Sequence, residues 1–150
     1  MFRQMFLFIF ILSLSTGITL AQDEEVSIKP DDVPKAVLKK LQTLYPSQKE
    51  VNWSKVKSEF TAEFKINGHS SSVTFDNTGN WIETESETSA ADLPKVVINM
   101  ISKKYPGYTT DYVTKTVSPK TPLYEITLKK GKDKLYIIVD VQGQLIEKED

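Results

Sequence analysis

Apolar residues recur twice along this chain at helical spacing, and strand-like runs follow each time. Val33, Val37, Leu41 and Leu44/Tyr45 form one stripe at intervals of three and four; Leu93, Val97, Ile101 and Tyr105 form the other. That periodicity predicts two amphipathic helices, each burying one side. Asp32 and Asp92 stand in front of them as candidate N-caps. Pro34 and Pro94 fall in the first turn, where a missing N–H costs nothing. Pro46 and Pro106 stop the helices, because a residue before proline avoids helical geometry.

Four strands are predicted after each helix. The first set is about Glu50–Lys57, Phe60–Ile66, Ser71–Asp76 and Asn80–Glu87; the second is about Thr109–Val117, Leu123–Lys129, Lys134–Val141 and Gln144–Lys148. Phe60, Ala62, Phe64 and Ile66 alternate with Thr61, Glu63 and Lys65, and Tyr124, Ile126 and Leu128 alternate with Glu125, Thr127 and Lys129. A period of two with one polar side predicts an antiparallel sheet, covered on one face and wet on the other. Gly68, Gly79, Gly131 and Gly143 punctuate the runs as hairpin residues.

The two sets read as one unit written twice. Asp32 to Val37 align with Asp92 to Val97, Tyr45-Pro46 with Tyr105-Pro106, and Phe75 to Glu83 with Val139 to Glu147. The expected fold class is α+β: a tandem repeat of helix plus four-stranded antiparallel sheet. It has about eight strands in all, with two helices packed on one face. Residues 31–150 are expected to form a single domain of two repeats, about 31–88 and 91–149. The acidic stretch Glu83–Asp92 is read as the crossover between them, and residues 22–30 as a flexible lead-in.

The N-terminus has a different pattern. Arg3 precedes an unbroken apolar run from Met5 to Leu12, which fades through Ser13, Ser15 and Thr16 to the small residues Thr19 and Ala21. This is the layout of a cleavable signal peptide, residues 1–21, with the cut after Ala21. The run is too short for a bilayer span. The expected location is therefore periplasmic or secreted, with no stable membrane insertion after signal removal.

Composition narrows the chemistry. The chain of 150 residues has no cysteine and one histidine, which excludes thiol catalysis, cysteine zinc sites and any site needing two imidazoles. Nineteen basic against twenty acidic residues leave no net positive field for nucleic acid. Small secreted domains are usually disulfide-rich, so the missing cysteines favour a bacterial envelope address.

The order apolar-Pro, amphipathic helix, Tyr-Pro, four strands, then Asp-x-x-Gly turn and Ile-Glu resembles the PepSY-like, or beta-lactamase-inhibitor-like, family of exported bacterial proteins. The residues that carry the likeness are Val33-Pro34, Tyr45-Pro46, Asp76 to Glu83, Leu93-Pro94, Tyr105-Pro106 and Asp140 to Glu147. They span about residues 31–149. The resemblance implies a tandem helix-plus-four-strand fold whose open sheet face serves as a docking surface. The secreted inhibitors have disulfides and this chain has none, and no motif specific for inhibiting a beta-lactamase stands out. Shape alone does not fix function.

Candidate chemistry is sparse. His69 lies at a hairpin tip without a second imidazole, and Ser70–Ser72 lack a nucleophile elbow. Asp76-x-Thr78-x-Asn80 faintly suggests a calcium loop, but Trp81 stands where an EF-hand needs glycine, so it reads as a turn. Glu83, Glu85 and Glu87 share one side of a strand and are expected to be solvated in an acidic linker. Tyr136 and Ile138 are out of phase with the core-facing Leu135, Ile137 and Val139, which puts them on the open face. Lys65, Thr74, Thr127 and Lys129 on neighbouring strands join them as the candidate partner-binding surface. The expectation is a non-enzymatic, inhibitor-like binding module for a protein or peptide partner, with no catalytic residue, metal or cofactor. The alternative is an envelope structural or stress protein that binds a small ligand or metal.

Overall fold

The computed structural model describes residues 24–120 and 122–149; the signal-peptide reading falls outside them. Among the described residues two α-helices, α1 (Lys35–Leu44) and α2 (Lys95–Lys104), accompany nine strands. The strands are β1 (Val26–Ile28), β2 (Asn52–Val56), β3 (Glu59–Ile66), β4 (His69–Asp76), β5 (Trp81–Thr88), β6 (Thr109–Val117), β7 (Leu123–Lys130), β8 (Asp133–Asp140) and β9 (Leu145–Glu149). All nine pair antiparallel in one sheet, and their order across it is their order along the chain. The strand beyond the eight expected is β1, three residues of the lead-in that pair with Trp53–Lys55 of β2.

The helix starts differ from expectation. Asp32 and Asp92 are the last residues of single 3-10 turns, Pro30–Asp32 and Ala90–Asp92, and neither caps a helix. Pro34 and Pro94 occupy the N-cap position instead, one residue before the first turn. That position does not need its own N–H, which proline lacks, and its carbonyl takes the first helical bond: Leu38 N donates to Pro34 O at 3.1 Å and Ile98 N to Pro94 O at 3.1 Å. Both helices end at the tyrosine before the predicted proline stop.

Two separate cores hold the helices to the same side of the sheet. Val33, Val37 and Leu41 pack with Trp53, Phe60, Ala62, Phe64, Val73 and Phe75. Leu93, Val97 and Ile101 pack with Val113, Tyr124, Ile126, Leu128, Leu135, Ile137 and Val139. Each of these large side chains contributes about 1.5–3 kcal/mol when fully buried. Between the cores runs β5, whose eight residues are all half-buried. Its helix-side positions Thr84, Ser86 and Thr88 are polar, so the apolar layer is interrupted there.

The turns after β4 and β8 are built alike. Asp76 Oδ1 accepts from Thr78 N at 2.8 Å and Asn80 N at 2.9 Å; Asp140 Oδ1 accepts from Gln142 N at 2.9 Å and Gln144 N at 2.8 Å. Gly79 and Gly143 close these turns at φ +87° and +78°, a region that side chains disfavour. Both also lie against a helix start. A Cβ on Gly79 would sit 2.9 Å from the Ala36 carbonyl oxygen, and one on Gly143 would sit 3.3 Å from that of Val96.

Candidate functional site

Register decides which side chains share the face away from the helices. Phe60, Ala62 and Phe64 of β3 enter the core, so Glu59, Thr61, Glu63 and Lys65 point the other way. Thr61 pairs with Thr74, and Thr74 with Glu83; Glu63 pairs with Ser72, and Ser72 with Glu85. Across the next strands Glu85 pairs with Thr116 and Glu87 with Thr114. Thr114 pairs with Glu125, Glu125 with Ile138, and Ile138 with Glu147. Both helices pack on the opposite face.

All six predicted partner-binding residues lie on it, but in two groups. Lys65 and Thr74 belong to β3 and β4; Thr127, Lys129, Tyr136 and Ile138 belong to β7 and β8. Tyr136 is 44% exposed and pairs with Thr127 and Glu149. Ile138 is half-buried, and Lys65 and Lys129 are exposed. Thr74 is only 4% exposed, and its hydroxyl lies 3.0 Å from that of Thr61, so it is packed into the face rather than offered from it.

Between the two groups lies what the sequence reading missed. Glu83, Glu85 and Glu87 are not solvated in a linker: β5 is the central strand of the sheet, and all three are half-buried. Carboxylates stand on β3, β5, β7 and β9, with Ser72, Thr74, Thr114 and Thr116 on the strands between. Four buried hydroxyl side chains, Thr61, Ser72, Thr74 and Thr114, sit low among the longer glutamates. The residue missing from the prediction was not hidden; out-of-phase positions of successive strands, summed across the sheet, are mostly acidic.

The electrostatics follow from this crowding. Burial first, and then the Glu125 and Glu83 charges, push the Glu85 carboxyl up to about 7, against the opposing pull of the Ser72 hydroxyl 3.4 Å from Oε2. Burial also raises Glu125, helped by Glu83 and Glu147, and raises Glu83, helped by Glu59. Glu63 rises through burial and the Glu25 charge. Glu87 accepts from Ser70 N at 3.1 Å. The Thr116 hydroxyl, beside Glu85 in its row, is buried without a hydrogen-bond partner.

The remaining candidates are dispersed. His69 is exposed at the start of β4, opposite Ile66. Ser70–Ser72 lie within that strand, with Ser71 Oγ donating to Ser86 Oγ at 3.5 Å. Both Asp76 oxygens are occupied by the turn's own donors. Among the described residues no three His, Asp or Glu side chains are grouped to hold a metal ion, and no helix is long and apolar enough to cross a membrane.

Comparison with known proteins places this arrangement. The family described as "Putative beta-lactamase-inhibitor-like, PepSY-like" matches residues 54–147. No curated protein matches the sequence. A crystal structure of a DUF2874 family protein from Bacteroides ovatus is 26% identical, with a TM-score of 0.70 over 79% of this chain and 88% of that one. One from Bacteroides eggerthii, described among "putative periplasmic proteins", is 22% identical, with a TM-score of 0.71 over 78% and 88%. A BLIP-like protein from Bacteroides fragilis is 24% identical, with a TM-score of 0.66 over 79% and 86%. The last two likenesses speak for the fold, and the family match runs from within β2 to within β9. The chain belongs to the PepSY-like, beta-lactamase-inhibitor-like family.

Proposed function

We propose that the protein is a non-enzymatic binding module of the bacterial periplasm or cell exterior, inhibitor-like in shape, which docks a protein or peptide partner on the open face of its sheet. One observation carries the reading: a broad sheet face, with both helices packed on its other side, presents the exposed Tyr136 and half-buried Ile138 beside partly desolvated carboxylates. An aromatic anchor amid polar groups is a common centre of protein binding. The signal-like N-terminus and the "putative periplasmic" description of the Bacteroides eggerthii neighbour support the location. The family name and the BLIP-like neighbour support inhibitor-like docking.

Capture of partners from periplasmic extract tests the face. Wild type and a Tyr136→Ala/Ile138→Ala variant are compared, with thermal melts showing that both are folded. Loss of a captured partner in the variant supports the open face. Retention of every partner by a folded variant places docking elsewhere.

A further inference from the structure

We infer that the open face receives a lysine- or arginine-rich segment of a protein partner, laid across β5 so that its cations reach Glu63, Glu85 and Glu125. The inference rests on the open-face reading above and names the partner's chemistry. Charge in this molecule is segregated by layer. All six charged residues of α1 and α2 are lysines, whereas eight glutamates stand on the opposite face along β3, β5, β7 and β9. A chain with a net charge of only −1 therefore turns one strongly negative face outward. Lysines of that face, Lys65, Lys129 and Lys134, lie near the hairpin ends of their strands and leave its middle acidic.

The geometry suits a chain of separate cations. Carboxylates recur on every second strand, Glu63 and Glu85 in one row and Glu87, Glu125 and Glu147 in the next, so neighbours in a row stand about 9.5 Å apart. That is too far to share one metal ion and far enough for one ammonium or guanidinium each. Among the described residues, the charges that act on Glu83, Glu85 and Glu125 are glutamates, of their own sign. The unpartnered Thr116 hydroxyl adds a second unmet polar group in the row of Glu85. Such a face repels itself when bare; a cationic segment relieves that repulsion and is drawn in from a distance.

The test titrates the protein into fluorescein-labelled decalysine and reads anisotropy at low and at physiological ionic strength, on either side of pH 7. Glu85 is surrounded by Glu83 and Glu87 on its own strand, Glu63 beyond β4, and Tyr112 and Glu125 on β6 and β7. Binding should tighten as pH rises through the Glu85 titration and weaken with salt. Glu85→Gln should remove the pH step, and Glu85→Gln/Glu125→Gln should weaken binding by about tenfold or more. Asp31→Asn/Asp32→Asn, which removes two charges from the turn before α1, should leave affinity within about twofold. Equal losses in the two double variants, or no binding by wild type at low salt, overturn the inference. Self-association at low salt that Glu85→Gln abolishes also overturns it, since the occupant is then the lysine-bearing helix layer of a second copy. A partner lost in Tyr136→Ala/Ile138→Ala without decalysine binding removes the cationic class alone and keeps the open face.

Discussion

Two carboxylates set opposite limits on stability. Asp76 is held near 2 by hydrogen bonds from Thr78 and Asn80, below its ordinary value, so the folded state binds fewer protons than the unfolded one. Its contribution is present above the unfolded value, near 4, and is lost as pH falls through the folded one. Glu85 runs the other way. Its folded value, about 7, lies above the ordinary 4.5, so the folded state holds a proton that the unfolded chain has released. Stability therefore falls as pH rises from about 4.5 to 7 and stays lower beyond. Glu85→Gln should raise stability above pH 7 by about 1–3 kcal/mol and leave it nearly unchanged at pH 4. Asp76→Ala should lower the melting temperature at neutral pH and flatten the loss between pH 4 and 2. Denaturant melts across pH read both; a Glu85→Gln variant no more stable than wild type at pH 8 contradicts the desolvation account.

Among the elements, the turn–helix contacts are the most sharply testable. Gly68 also has a positive φ but nothing within 4 Å of its would-be Cβ, whereas that of Gly79 runs into the Ala36 carbonyl. Gly68→Ala should cost about 1 kcal/mol for conformation alone, and Gly79→Ala about 2 kcal/mol or more, read as a larger shift in melting midpoint. Equal costs would mean that the helix start yields freely. The elements themselves were legible because burial writes a period into the sequence. Phe60 to Ile66 and Tyr124 to Leu128 alternate since one side enters a core, and the observed bounds of β3 and β7 lie within a residue of the predicted ones. Burial without apolar residues leaves no such trace. β5 lies where the two cores leave a gap, so its helix side reads Thr84, Ser86, Thr88 and its other side Glu83, Glu85, Glu87. Polar on both sides, it is recognised as a strand within a residue of its observed bounds, but its glutamates read as solvated even though the strand is central. β1 is too short to show a period, and Asp32 resembles a cap because a 3-10 turn and a helix N-terminus attract the same residue types. Tyr136 and Ile138 were visible as out-of-phase positions in a strongly alternating strand; the depth of the acidic face depends on register across five strands and is not.

The whole molecule behaves as two cores beneath one sheet. Among the described residues no buried side chain belongs to both clusters, and the halves meet through the β5–β6 ladder from Thr84↔Val117 to Thr88↔Val113. Phe75→Ala should cost about 3–5 kcal/mol and Ile137→Ala about 2–5 kcal/mol. Because their cores share no atoms, the double variant should match the sum within about 0.5 kcal/mol in urea melts; a coupling well above that would reveal a shared core. The order of the strands has a further consequence, for how the chain finds this structure. Each strand's partners are its immediate predecessor and successor, so no strand must be threaded between two already joined. Six of the eight connections between strands are loops of two to five residues, where the entropy lost at closure is small, and the two longer ones are shortened by the helices α1 and α2 that they carry. Assembly can zip forward hairpin by hairpin as a chain emerges N-terminus first, an early ladder serving as template for the next strand. Such local wiring belongs to the faster end of β-rich folding and leaves few long-lived unpaired edges along the way.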